Sequence, residues 1–175
     1  FFGTETTIGT TSTQDDMYIR WSSQEAITTY TPTATNTAGT QRIADGTRIV
    51  AAIRGRDAIY IWTDTALFIM RFVGPPFTFS FQQVGTGCGL IGKNAAVEVD
   101  GSAYWMSENG FFRYTGRLES LACLVEDYVY DDINTVPKNH IYAGLNNLFG
   151  EVTWFYPGSG AASNNRSVTY NYMDS

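Results

Sequence analysis

The sequence predicts an all-β protein, a β-propeller-like array of four-stranded antiparallel blades (a partial propeller) with one short helix near 121–134. Three observations carry that expectation. Residues 95–121 (AAVEVDGSAYWMSENGFFRYTGRLESL) read as four short strands. Asp100-Gly101 and Asn109-Gly110 suit the positive φ of tight hairpin turns, and Thr115-Gly116 marks a third reversal. A degenerate repeat lays Thr63-Asp64-Thr65-Ala66-Leu67-Phe68 on Ser107-Glu108-Asn109-Gly110-Phe111-Phe112, an offset of 44 residues. Trp21-Ser22 likewise resembles Trp62-Thr63, and Trp154 follows Trp105, at the spacing of about 40–50 residues typical of propeller blades.

In chain order, residues 1–16 are Thr- and Gly-rich and fit either a strand with its turn or a linker. Residues 17–23 form a short strand in which Tyr18, Arg20 and Ser22 alternate with Ile19 and Trp21. A long Thr-rich segment, 24–41, follows. Loops of that length inside a compact domain usually carry a contact or a function, so Thr31, Pro32, Thr33, Asn36 and Thr37 are candidate subunit-contact residues. Strands are expected over 48–54, 58–62 and 66–73, then a break at Gly74-Pro75-Pro76. A strand over 77–84 should place Phe77, Phe79 and Phe81 on one face. The helix over 121–134 rests on Leu121, Leu124, Val125, Tyr128 and Val129 at helical spacing, and Pro137 ends it. A last hairpin and strand occupy 140–173. The expected organisation is a single module over 1–175, with blade-like units near 17–46, 47–84, 92–122 and 138–173. The chain opens on Phe1-Phe2 and stops after a strand-like run, so it is read as a piece of a longer protein.

Composition narrows the function classes. The net charge is −6 and the pI about 4.6, with hydrophobic content of 43% and charged content of only 16%. Such a chain is globular and offers no basic cradle for nucleic acid. No apolar run reaches the length of a membrane helix. Cys88 and Cys123 fit no metal or redox spacing; free thiols are the first reading and a disulfide the second.

Each motif with chemical potential has a plainer explanation. Gly87-Cys88-Gly89-Leu90-Ile91-Gly92-Lys93 spells a phosphate loop up to its lysine. Asn94 then replaces the required Ser or Thr, and a strand follows instead of a helix. An inter-blade crossover, with glycines letting backbones pass closely, accounts for it better. Asp64 and Glu108 occupy equivalent turn positions, as structural acids would. Asp15, Asp16, Glu25 and Glu98 are carboxylates that nothing pairs across a cleft, as glycoside hydrolysis would require. Glu126, Asp127, Asp131 and Asp132 lack the central glycine and alternating ligands of a calcium loop. His140 is the only histidine, so neither a nucleophile triad nor a zinc motif can be written. Tyr156 and Tyr170 could stack on sugars, although a β-protein uses most tyrosines for packing. No catalytic residue, cofactor site or metal site is expected.

Larger stretches carry a resemblance. Ile19-Arg20-Trp21-Ser22 with Pro32 and Asn36-Thr37-Ala38-Gly39, then residues 61–112, then VEDYVYDDIN and EVTWFYP, resemble the tail nozzle or hub proteins of short-tailed bacteriophages. These are also described as packaged-DNA stabilisation or tail tubular proteins. The resemblance covers roughly residues 17–173. It implies a non-enzymatic virion protein: a β-propeller subunit in a homo-oligomeric ring, a hexamer, below the portal and its adaptor. Such a ring retains the packaged genome and permits its ejection, with DNA passing through without specific binding. The alternative is a carbohydrate-binding or glycosidase propeller on a virion or cell surface.

Overall fold

The computed structural model of the protein describes residues 1–173 and is mostly β, with four antiparallel sheets of three or four strands and one α-helix. The first sheet contains β1 (Phe2–Glu5), β2 (Gln14–Trp21) and β3 (Gly39–Arg42) in that order. The second is a meander of β4 (Ile49–Arg54), β5 (Ile59–Thr63), β6 (Ala66–Gly74) and β7 (Thr78–Thr86). The third repeats it with β8 (Ala96–Val99), β9 (Ser102–Ser107), β10 (Gly110–Tyr114) and β11 (Leu118–Ser120). The fourth holds β12 (Tyr142–Asn146), β13 (Glu151–Tyr156) and β14 (Arg166–Asn171).

The sheets pack face to face in chain order. Met17 and Ile19 of the first sheet share a core with Ile61, Phe68 and Met70 of the second. Trp62 of the second sheet meets Trp105 of the third, ring centroids 5.4 Å apart, and Phe111 of the third meets Trp154 of the fourth at 5.0 Å. Period-2 alternation makes this possible, because a strand buried on both sides sends successive residues to opposite neighbours. Trp62 directly precedes Thr63, whereas Trp105 stands two residues before Ser107. Pairing of Trp62 with Leu67 and of Trp105 with Phe112 confirms that one-residue offset. The two indoles therefore project from opposite faces of equivalent strands and meet between the sheets. The first strand of each sheet also lies beside the first strand of the next, β1 by β4, β4 by β8 and β8 by β12.

Three details depart from the sequence reading. The α-helix, α1, is only Glu126–Asp132, and of its expected apolar face Val129 alone is buried within it. Leu121 is buried just before the helix, while Leu124, Val125 and Tyr128 face solvent. A helix of seven residues, about two turns, is too short to carry a stripe drawn over 121–134, so that spacing did not translate into one face. Phe77 is exposed, whereas Phe79 and Phe81 pack on Trp21 at 5.3 and 5.8 Å. Trp21, moreover, is not the counterpart of Trp62. Its contact with β7 near the β6–β7 turn means that β2 runs like β6, and β3 like β7. The first sheet thus holds the second, third and fourth strands of the repeating unit, and the fourth sheet holds the first, second and third. Residues 1–16, undecided from sequence, contribute β1, a 3-10 turn and the start of β2.

The glycine-rich segment 87–95 is a close crossover. Cys88 N and Leu90 N donate to Thr65 O and Thr63 O, and Ile91 N donates to Met106 O. A Cβ on Gly89 would fall under 3.0 Å from the main chain of Asp64 and Thr65, and one on Gly92 would press equally on Lys138 O. Trp105 Nε1 donates to Cys88 O at 2.8 Å and Trp154 Nε1 to Ala95 O at 3.0 Å. Each indole thereby fastens the crossover that borders it.

Candidate interaction surface

One end of the sheets carries the hairpin turns 55–58, 74–77, 100–101 and 115–117 together with the loop 22–38. Tyr60 Oη donates across it to Gly101 O at 2.8 Å. The opposite end carries the turns at Asp64 and Glu108 and the connections between sheets. The two ends differ in chemistry.

At the hairpin end, the loop 22–38 is held as a fixed shape by its own polar groups. Asn36 Oδ1 accepts from Thr33 N at 3.1 Å, and its Nδ2 donates to Thr31 O at 2.9 Å. Thr37 Oγ1 accepts from Gln24 N at 2.7 Å, and Thr37 O accepts Trp21 Nε1 at 2.9 Å. Arg20, buried beneath the loop, donates to Glu5 O and Thr6 O at 2.9 Å each and reaches Tyr30 O at 3.5 Å. The five candidate residues therefore divide by role. Thr31, Pro32 and Thr33 form the exposed tip, while Asn36 and Thr37 are partly buried and shape it. Beside the loop stands the β6–β7 hairpin, whose Thr78 Oγ1 donates to Thr37 O at 3.4 Å. A hollow of about 260 Å³ separates the two, lined by Ser22, Ile27, Thr37, Phe72, Pro75 and Phe79. Ile27 (79% exposed), Phe72 (66%), Val73 (53%) and Phe77 (77%) lie on this end, an apolar patch the loop reading missed. The signal was Phe-Val-Gly-Pro-Pro-Phe, aromatics placed in a turn where no core can receive them. Arg54 and Arg56 border the same end, beside Phe72 and Phe79.

At the opposite end the acids are occupied in structural roles. Asp64 accepts Thr47 N at 2.8 Å and also the Thr47 hydroxyl. Burial pushes its carboxyl upward, but the Thr47 and Arg48 hydrogen bonds outweigh that, so its pKa lies below the usual range. Asp45, bonded by Thr65 Oγ1 at 2.8 Å and Gln83 Nε2 at 2.6 Å, is lowered chiefly by the Thr65 hydroxyl. Glu108 pairs with Lys138 at 2.7 Å. Asp15 pairs with Arg42 at 2.7 Å and is held low first by the Met17 amide. Gln14 Nε2 donates to Asp16 Oδ1 at 3.2 Å. Glu98, at the hairpin end, caps Gly101 N at 2.7 Å, and Glu25 is exposed in the loop. Asp132 pairs with Arg166 at 3.1 Å, and His140 Nδ1 meets Ala162 O at 3.0 Å. Tyr156 is buried, and Tyr170 packs on Tyr104 at 6.1 Å. Among the described residues no three His, Cys, Asp or Glu side chains gather as a metal site would need. Cys88 and Cys123 are both free thiols, Cys88 buried and raised in pKa by that burial. No helix among the described residues is long and apolar enough to cross a membrane.

Neither a family model nor a curated protein matches this chain.

Proposed function

We propose that this chain is a structural, non-enzymatic module of a phage tail, of the nozzle or hub type, whose blades form part of a propeller and whose copies assemble into a ring. The ring closes a DNA exit channel, holds the genome and opens at infection, docked to portal, adaptor and other tail proteins. The resemblance over residues 17–173 suggests the role. Face-to-face sheets, with β4, β8 and β12, the first strands of three successive units, side by side, suit a propeller arc. A net charge of −6 suits a conduit along which phosphates slide without sticking.

The observation that carries the assembly reading is the apolar patch of Ile27, Phe72, Val73 and Phe77 beside the rigid loop. Burying one such side chain contributes about 1.5–3 kcal/mol. A surface exposing four is suited to a protein partner. The patch variant Ile27→Ser/Phe72→Ser/Phe77→Ser, and separately deletion of 31–36, should abolish rings in negative-stain microscopy and lower the sedimentation coefficient to that of a monomer. Both variants should keep the wild-type β circular dichroism. A wild-type protein that stays monomeric at every concentration would overturn the assembly reading.

A further inference from the structure

The hollow between the loop 22–38 and the β6–β7 hairpin has features that a contact between copies does not require. Among the described residues only three besides glycine hold a left-handed backbone: Glu25 (φ +58°), Thr78 (+61°) and Asp100 (+51°). Asp100 is accounted for by its tight turn with Gly101. Glu25 and Thr78 both line the hollow, one from the loop and one from the hairpin. For Thr78, branched at Cβ, such a φ is a true outlier. Strain of this kind persists only where the surroundings enforce it, and it gathers at ligand clamps.

The enforcing bonds converge on Thr37. Its carbonyl accepts Trp21 Nε1 at 2.9 Å and Thr78 Oγ1 at 3.4 Å, its hydroxyl accepts Gln24 N at 2.7 Å, and its own N–H donates to Ser23 Oγ at 3.4 Å. One residue thereby ties both walls together, and a ligand entering so preformed a hollow has little to order. The walls differ in chemistry. Phe72, two-thirds exposed, is braced edge to face on Phe79, ring centroids 5.8 Å apart at 74°. Opposite it the exposed Gln24 and Glu25 bring an amide and a carboxylate that no side chain among the described residues pairs. Glu25 is the only charged residue lining the hollow. With no cation to offset it, phosphates, nucleotides and acidic sugars meet a like charge and are rejected.

We propose that this hollow binds a neutral pyranose unit of a glycan, its C–H face on Phe72 and its edge hydroxyls on Glu25 and Gln24. A carboxylate accepts from two hydroxyls at once, and an amide both accepts and donates, so the pair reads adjacent hydroxyls on one ring. A polypeptide side chain matches either the aromatic wall or the polar rim, whereas a pyranose carries an apolar face and a hydroxyl edge in one body. A volume of about 260 Å³ suits a single sugar unit. The inference goes beyond the assembly reading and stands without it. Ile27 and Phe72 belong to both surfaces, so a bound sugar and a docked copy exclude each other.

The test uses the whole protein, diluted until sedimentation shows a monomer. Its probes are the methyl glycosides of glucose, galactose, mannose and N-acetylglucosamine, with glucuronic acid as the charged control. In saturation-transfer NMR at least one neutral glycoside should receive saturation on its ring C–H protons, and glucuronic acid none. Phe72→Ala and Glu25→Gly should each weaken binding about tenfold or more. Glu25→Gly also relieves the left-handed strain, so its urea midpoint should rise while its binding falls, which separates a lost site from a lost fold. Phe77→Ser, outside the hollow, should bind like the wild type. The proposal is overturned if no neutral glycoside gives a signal, if glucuronic acid binds equally, or if binding survives either Phe72→Ala or Glu25→Gly. Rings that form while no glycoside binds would sink this inference alone. Glycoside binding to a protein that stays monomeric at every concentration would sink the assembly reading alone.

Discussion

Replacing Gly89 by alanine is the sharpest test of the crossover. A Cβ there meets the Asp64 carbonyl and lies 2.5 Å from Thr65 N, both main-chain atoms in a turn that cannot swing aside as a side chain would. Relief requires lifting the segment off the β5–β6 turn, which breaks the bonds from Cys88 N to Thr65 O and from Leu90 N to Thr63 O. Each is worth about 0.5–1.5 kcal/mol, and overpacking a tight contact adds about 1–3. The expected loss is therefore about 3–5 kcal/mol, or about 8–15 °C in Tm for a domain of this size. Urea unfolding followed by tryptophan fluorescence measures it. Gly87, at φ +73° with open space around it, is the control, and its alanine variant should lose only about 1–2 kcal/mol of left-handed backbone strain. Near-wild-type stability of Gly89→Ala would refute the close-passage account. So would a nucleotide affinity that the substitution removes.

The tryptophans should not behave alike. Trp105→Phe strands a buried acceptor, Cys88 O, whereas the Trp62 Nε1 has no hydrogen-bond partner to lose. Trp105→Phe should cost about 1–3 kcal/mol more than Trp62→Phe in urea unfolding, and equal costs would contradict the fastening role. Acid should destabilise the protein through Asp15, Asp45 and Asp64, whose carboxyls are all depressed in the fold. A depressed carboxylate stabilises fully above its unfolded pKa of about 3.9, and that contribution is lost as pH falls through the folded value. Stability should thus stay level down to about pH 4 and decline below it, and Asp45→Asn/Asp64→Asn should start lower and decline less steeply. An unchanged slope would place the acid sensitivity elsewhere.

Much of the strand pattern was legible because tight turns announce themselves locally. Asp100-Gly101, at positive φ in both residues, sets the β8–β9 turn; the next turn falls on Glu108-Asn109 instead of Asn109-Gly110, because Gly110 already pairs with Ser107 as the first residue of β10. The offset between Thr63 and Ser107 predicted which residues would be equivalent. What local pattern could not supply was direction in space. Trp21 shares its neighbours' composition but runs along a third-position strand, a fact fixed only by its contact with Phe79 and Phe81. Spacing suggested a helix over 121–134, yet the crossover had to turn from β11 towards β12. Only seven residues could coil, leaving Leu124 and Val125 outside. At the candidate surface, Asn36 and Thr37 were singled out for loop length, but their use is internal. The exposed apolar partners came from the next hairpin, which sequence alone does not place beside the loop.

The one-residue offset between Trp62 and Trp105 constrains how this chain can change length. An insertion or deletion inside β9 would swap the parity of everything before it, sending Trp105 toward the fourth sheet and emptying its seat against Trp62. The same change in an exposed turn such as 115–117 leaves parity intact on both sides. Length variation among sequences descended from this one should therefore gather in the hairpin end and stay even-numbered within strands.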